Sequence, residues 1–185
     1  MIRKIPFETI ETERLILRKL TGEMWEDILL NGSEEEILLY LGTRSDAIES
    51  EKEKARKGFG SFNKSLLIFH LMDKNTGELL GWCGYHTWYR PHDRAEIGYG
   101  MYDDAHKSKG YMTEALRAVL KYGFEQMNLH RVEAFIADYN IPSKRLLERC
   151  GFRREGVARE HYFDNNQYED SAFYGLLKHE FNFDR

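Results

Sequence analysis

The sequence predicts an α+β fold, a mixed and mostly antiparallel sheet with helices packed on it, in one domain spanning 1–185. Three observations predict it. Seven short stretches read as strands, and after the fourth of them the apolar period changes from two to nearly four. The elements run strand, helices, three strands, helix, strand, helix and two strands, with no linker, repeat or low-complexity tract. Strong turn signals separate neighbouring strands: Asp73-Lys74-Asn75-Thr76-Gly77 and Asp164-Asn165-Asn166-Gln167.

Glu13–Lys19 is a short β-prone run, and Thr21-Gly22 is a helix entry before Met24, Trp25, Ile28 and Leu29 at helical spacing. A second helix is expected from about Ser33 and a third from Asp46 to roughly Asn63. The many charges of the third (Glu49, Glu51, Lys52, Glu53, Lys54, Arg56, Lys57) mark a solvated face. Strands follow at Leu66–Met72, Leu79–Tyr89 and Arg94–Tyr102. Tyr111, Ala115, Leu116, Val119, Leu120, Phe124 and Met127 then form one face of the longest helix. Arg131–Asp138 alternates as a strand. A short helix carries Leu146, Leu147 and Cys150 and ends at Gly151, and Phe152–Phe163 and Tyr168–Leu177 close the chain as a hairpin.

Composition narrows the function. Among 185 residues, 42% are apolar and 14% aromatic, enough for a real core. The 27 basic against 31 acidic residues give a net charge of −4 with no basic face, which argues against nucleic acid as a partner. No apolar run approaches a membrane span and the N-terminus lacks a signal-peptide core, so a cytoplasmic location with no membrane partner is expected. Cys83 and Cys150 are expected to be buried free thiols, and the seven histidines show no metal-ligand spacing, so no metal is expected.

The segment Asp103–Ala115 joins a strand to the longest helix, and its composition suits a phosphate. A helix start offers unpartnered N–H groups and the positive end of the macrodipole. Gly110 permits an unusual turn or close approach, Lys107 and Lys109 add charge, and Thr113 adds a hydroxyl. An ordinary strand-to-helix turn with solvated lysines competes on local grounds. Walker A is absent, and the dinucleotide fingerprint fails because Asp103 stands where Gly98-Tyr99-Gly100 would need its third glycine.

Lys107-Ser108-Lys109-Gly110-Tyr111-Met112-Thr113-Glu114-Ala115-Leu116 resembles the pyrophosphate-binding signature of the GNAT acetyltransferase superfamily. Thr12–Arg18, Ala95–Tyr99, Asn140–Ser143, Leu147–Phe152 and Tyr162–Asp170 are similar, in order, to segments of its RimJ/RimL-like branch, which acetylates ribosomal-protein N-termini. Lys107 stands where the signature has Arg or Gln, and Met112 where it has Gly or Ala, with potential crowding of the pantetheine arm. Gly100 stands where the branch often has an aromatic residue, which implies a wider acceptor side.

The resemblance implies the GNAT fold, splayed between the fourth and fifth strands read above (Arg94–Tyr102 and Arg131–Asp138), with acetyl-CoA as cosubstrate wedged there. It implies cofactor contacts from Met101, Tyr102, Lys107, Ser108, Lys109, Gly110, Tyr111, Met112, Thr113, Asn140 and Ser143. Backbone N–H groups near Met101 and Tyr102 would stabilise the oxyanion. Direct attack by an amine on the thioester needs no covalent enzyme intermediate.

Glu96 is the candidate general base, through a water. Strict alternation puts it on one face with Arg94, Gly98 and Gly100, where the glycines leave room, and an ion pair with Arg94 or a nearby lysine is the competing reading. Asn140 is an N-cap as well as a cofactor contact. Ser143 is the candidate hydrogen-bond donor to the thiolate, or a plain helix-turn serine, with Tyr162 in reserve. Trp82, Tyr85, Trp88 and Tyr89 belong to the sheet, one or two of them lining the acceptor pocket. The acceptor implied is a primary amine: a protein N-terminus first, with polyamines, amino acids and antibiotic amines as alternatives. A homodimer is compatible with this reading. A non-catalytic acyl-CoA-binding module is the rival from another class.

Overall fold

The computed structural model describes residues 2–56, 66–164 and 166–184. Eight strands form one sheet in the order β1-β2-β3-β4-β5-β6-β8-β7. These are β1 (Thr9–Glu11), β2 (Leu15–Thr21), β3 (Leu67–Asp73), β4 (Leu79–Tyr89), β5 (Arg94–Met101), β6 (Arg131–Ala137), β7 (Arg153–Asp164) and β8 (Gln167–Leu177). The helices are α1 (Gly22–Asn31), α2 (Glu34–Leu41), α3 (Ile48–Arg56), α4 (Tyr111–Glu125) and α5 (Ile141–Arg149). The strand β1 was not expected from the sequence: three residues carry too short a pattern to register. The third helix ends at Arg56 among the described residues, and its expected continuation through Asn63 lies outside them. None of these helices is long and apolar enough to cross a membrane.

Local chemistry sets the element ends as expected. Thr21 caps α1, its hydroxyl accepting from the Met24 N–H at 3.2 Å. Ser33 and Glu36 close a capping box on α2. Asp73 accepts from the Asn75 and Thr76 N–H groups in the β3–β4 turn. Gly151, with φ of +94°, ends α5.

Alternation divides the sheet into two faces. Leu15 and Leu17, Phe69 and Leu71, Cys83 and Tyr85, Ala95 and Ile97, Val132 and Ala134, and Tyr174 and Leu176 point to one side. There Ala115, Leu116, Val119, Leu120 and Phe124 of α4 cover them, every one of the five fully buried. Each such side chain contributes about 1.5–3 kcal/mol where large and apolar. Both cysteines belong to this layer, and burial pushes their thiols up. On the opposite face Leu20 packs with Ile28, Leu29, Ile37, Leu41, Ile48 and Ala55 of α1–α3. The same face carries His70, fully buried beside Arg18, where burial first and the guanidinium second push its pKa down to about 3. The ring is therefore neutral.

Gly123 sits mid-helix in α4 because Tyr85 needs the space. The Tyr85 hydroxyl donates to the Val119 carbonyl at 3.0 Å, and a Cβ on residue 123 would stand 2.1 Å from that oxygen. Gly123→Ala should therefore destabilise the protein by about 2 kcal/mol, although helix propensity alone favours alanine. The expected loss in a thermal melt is roughly 5 °C; an unchanged or higher Tm would refute this account of the glycine.

All strand pairs are antiparallel except β5–β6, which is parallel. That pair is registered only over Arg94↔Arg131, Ala95↔Val132 and Glu96↔Glu133. Beyond Glu96 the two strands part. The expected splay is there, between β5 and β6 once β1 is counted.

Candidate functional site

The splay opens a groove of about 610 Å³. One wall is Tyr99, Gly100 and Met101 at the end of β5, and the floor is Lys107, Ser108 and Gly110–Thr113. The other wall is Asn140, Pro142, Ser143, Arg145, Leu146 and Arg149 at the start and exposed side of α5. Of the eleven cofactor contacts expected, nine line this groove: Met101, Lys107, Ser108, Gly110, Tyr111, Met112, Thr113, Asn140 and Ser143. Lys109 and Tyr102 do not.

The floor is built by backbone conformation. Ser108 has φ of +61° and Gly110 of +85°, so the chain curls before α4 begins. A non-glycine residue in that region is strained, and such strain clusters where a turn must hold a ligand. Gly110 is the N-cap of α4 and supplies no side-chain cap. The first backbone bond of the helix runs from the Glu114 N–H to the Gly110 carbonyl, which leaves the Tyr111, Met112 and Thr113 N–H groups without intrahelical acceptors. Converging N–H groups at a helix start form an anion-binding concavity.

The turn is fastened from outside by residues a hundred positions away. The Glu114 carboxylate accepts from the Thr12 hydroxyl, the Arg14 N–H and Arg14 Nε at 2.6–2.8 Å. Arg14 Nη1 donates to the Lys109 carbonyl at 2.9 Å, and its guanidinium stacks 4.5 Å from the Tyr111 ring. Lys109 thus supports the turn through its carbonyl. Lys107 lies against Asp104, with Nζ 2.5 Å from the carboxylate, and both are exposed. Thr12 and Arg14 were absent from the expected site because no local pattern links them to Glu114.

At the β5 wall the Tyr102 N–H donates to the Leu80 carbonyl at 2.9 Å, so it is not free for an oxyanion, and its side chain lies near Gly42. Antiparallel strands turn alternate residues' backbone groups to alternate sides. With Tyr102 bonded to β4, the N–H groups of Met101 and Tyr99 face the gap left by β6. Of the N–H groups expected near Met101 and Tyr102, that of Tyr102 is thus engaged, and the ones facing the gap belong to Tyr99 and Met101.

Tyr99 was not among the expected site residues. Its hydroxyl is fully buried in the groove wall without a well-aligned hydrogen-bond partner. Burial pushes its pKa up, and the neighbouring Ser143 partly opposes this. Ser143 lies on the facing wall, where its N–H donates to Asn140 Oδ1 at 3.1 Å. Asn140 caps α5 as expected. An orphaned hydroxyl, two other polar side chains and a curl of free N–H groups fit an elongated ligand with an anionic middle.

Glu96 lies on the opposite face, at the last paired residue before the splay, with 16% of its side chain exposed. Arg94 does not pair with it: Arg94 Nη1 bonds Glu133 at 2.5 Å. The Glu96 pKa is raised, by burial first and by repulsion from Glu133, against the opposing His161 and Arg94. The room expected above Gly98 and Gly100 is occupied. A Cβ at Gly98 would meet His86 and Trp82 at 2.9–3.0 Å, and one at Gly100 would meet Trp82 Nε1 at 3.1 Å. Small residues here admit two large rings from β4, and those rings define the surface beside Glu96. Trp82 is thus a wall of this surface, whereas Tyr85 points into the core and Trp88 carries Arg90 over its ring.

A second surface element comes from β7. Between Ala158 and Tyr162 its register with β8 shifts, and Glu160 adopts φ of +52° with its N–H on Asp170. Bulges of this kind re-aim side chains. Here His161 is laid on Phe135 at 4.7 Å with Nδ1 3.1 Å from the Ser171 hydroxyl, and Tyr162 stands half-exposed beside it.

Comparison with known proteins agrees with this geometry. Residues 14–153 match the family model "Acetyltransferase (GNAT) domain". The chain is 32% identical over 174 residues to the uncharacterized N-acetyltransferase YoaA of Bacillus subtilis, covering 93% of this chain and 98% of that one. It is 31% identical over 127 residues to the [Ribosomal protein uS5]-alanine N-acetyltransferase of Escherichia coli, covering 66% and 65%. Spermidine N-acetyltransferase from Vibrio cholerae, solved in complex with CoA and spermine, superposes with a TM-score of 0.67 at 25% identity over 90% of this chain and 97% of that one. A parallel pair that parts above a strained, uncapped helix start is thus the frame of a family that transfers acetyl groups from acetyl-CoA, and the chain belongs to it: it is a GNAT N-acetyltransferase.

Proposed function

We propose that this chain binds acetyl-CoA with its pyrophosphate on the curl at Lys107, Ser108, Gly110, Tyr111, Met112 and Thr113. The observation that carries the reading is the start of α4: N–H groups without acceptors, opening onto the groove where β5 and β6 part. Arg145 and Arg149 add positive charge on the opposite wall. Met101 and Asn140 flank the pantetheine arm, and Met112, partly packed into the core, narrows the groove without closing it. The bound thioester supplies an acyl group already activated toward amines.

The residues then divide the work. Glu96, its basicity raised by burial, takes a proton from the amine through a water. The Tyr99 and Met101 N–H groups face the carbonyl oxygen as charge develops on it. Ser143, with its backbone fixed by Asn140, hydrogen-bonds the departing sulfur. Residues 1–185 act as one domain, since one wall of the groove is β5 and the other is α5, which follows β6 of the same sheet.

The acceptor is a primary amine, and a protein N-terminus is the first reading, supported by the ribosomal-protein acetyltransferase relative. A polyamine is the second, supported by the spermidine acetyltransferase neighbour. Calorimetric titration with acetyl-CoA, followed by CoA release with alanine- and serine-headed peptides and spermidine, tests this. Binding at micromolar Kd with amine-dependent release is expected. Absence of binding would remove the assignment of the curl, and binding without release would favour a silent acyl-CoA module.

A further inference from the structure

His86 is the extra residue of a β-bulge. Tyr85 pairs with Ile97 and Thr87 with Glu96, so nothing on β5 stands opposite His86. The bulge lays the imidazole across β5 in the space that Gly98 leaves, where a Cβ would approach Cδ2 to 2.9 Å. His86 Nε2 then lies 3.5 Å from Glu96 Oε1, and Nδ1 lies 3.3 Å from the Thr87 hydroxyl on the outer side. Its side chain is 35% exposed against 16% for Glu96. The ring therefore spans the distance from a mostly buried carboxylate to water.

The other groups around Glu96 are engaged with partners of their own or act on it electrostatically. Arg94, on the same strand and face, is held by Glu133. Glu133 of β6, opposite Glu96 in register, is held by Arg94 and Arg131, and Arg131 also holds Glu155. His161 and Tyr162 of β7 couple to Glu96 electrostatically, and His161 is tied to Ser171. Among the described residues, His86 is the ionisable side chain in ion-pair contact with Glu96.

We propose that His86 relays to solvent the proton that Glu96 takes from the acceptor amine, acting through Glu96 as a positioning residue that does not touch the substrate. The inference rests on Glu96 as the base. As the C–N bond forms and the C–S bond breaks, its electron pair leaves on sulfur. The amine proton passes to the Glu96 carboxylate and then to His86 Nε2, the imidazolium releases its Nδ1 proton to water, and exchange of the remaining ring proton with solvent restores the starting tautomer before the next turnover. At 3.5 Å the contact is longer than a good hydrogen bond, so transfer needs a closure of about half an ångström. Burial favours the exchange from both ends: it raises the Glu96 pKa and lowers that of His86, bringing the two together.

Two measurements test this, one without turnover. In side-chain NMR of the full chain, Glu96→Gln should lower the His86 titration midpoint by about half a unit or more, because the carboxylate favours the imidazolium. An unmoved midpoint overturns the coupling. In the CoA-release assay with an alanine-headed peptide and, in parallel, spermidine, His86→Gln should lower kcat about tenfold with the KM for acetyl-CoA unchanged. Added imidazole should restore the rate, which no purely structural loss would allow. Gly98→Ala, which displaces the ring while keeping it, should show the same buffer-rescued defect. Wild-type kcat in His86→Gln, or a defect insensitive to imidazole, overturns the relay. If Glu96→Gln itself turns over like wild type, the base assignment fails; if Glu96→Gln is slow and His86→Gln is not, only the relay fails.

Discussion

Glu96→Gln is expected to lower kcat/KM by about a hundredfold or more, the usual scale for removing a general base, while leaving acetyl-CoA affinity unchanged. Glutamine preserves the shape of the side chain and its contact with His86, so the substitution removes proton acceptance and little else. The residue also lies outside the groove walls, on the opposite face of β5, which is why cofactor affinity should not follow turnover. The pH profile gives a second handle. A base works in its ionised form, and burial raises the Glu96 pKa. Activity should therefore be present above that raised value and fall as the pH drops through it. The acid limb of kcat/KM should lie above the range of an ordinary glutamate, about 4.3. Glutamine should abolish this limb and keep the limb set by ionisation of the acceptor amine. Retention of the acid limb in the variant would assign it to another group.

The second large effect belongs to Gly110. Gly110→Val should weaken acetyl-CoA binding about tenfold or more by calorimetry. At φ of +85° an L side chain costs roughly 1–2 kcal/mol, and the new Cβ would sit 3.3 Å from Arg14 Nη2. The turn relieves that strain by rotating out of the left-handed region, and the N–H groups of Tyr111–Thr113 then cease to converge. Because Arg14 and Glu114 still hold the start of α4 to the sheet edge, the fold should survive with a Tm lowered by only a few degrees. Wild-type affinity in a folded Gly110→Val protein would mean that the pyrophosphate does not sit on this curl.

Much of the fold was legible along the chain because its causes are local. Thr21, Ser33 and Asn140 announce helix starts, and Gly151 a helix end. The 115-116-119-120-124 spacing names the buried face of α4. Alternation alone assigned Arg94, Glu96, Gly98 and Gly100 to one face of their strand. The turn before α4 could be picked out because glycine, lysines and a helix start fall together within seven residues.

What the sequence by itself determined is the α+β order of elements and the position of the glycine-lysine turn that opens α4. The family follows from the order of its motifs. The tertiary structure decided who surrounds the chemistry. Arg94 was free to pair with Glu96 until β6 brought Glu133 opposite, and the space above Gly98 and Gly100 was open until a bulge in β4 swung His86 over it. Tyr102 lost its place to Tyr99 through the register with Leu80, and Glu114 found Thr12 and Arg14 across a hundred residues. In each case the deciding quantity is which backbone stands beside which, and at what offset. One residue of register reverses the face a side chain takes, and no local pattern in the sequence records that offset.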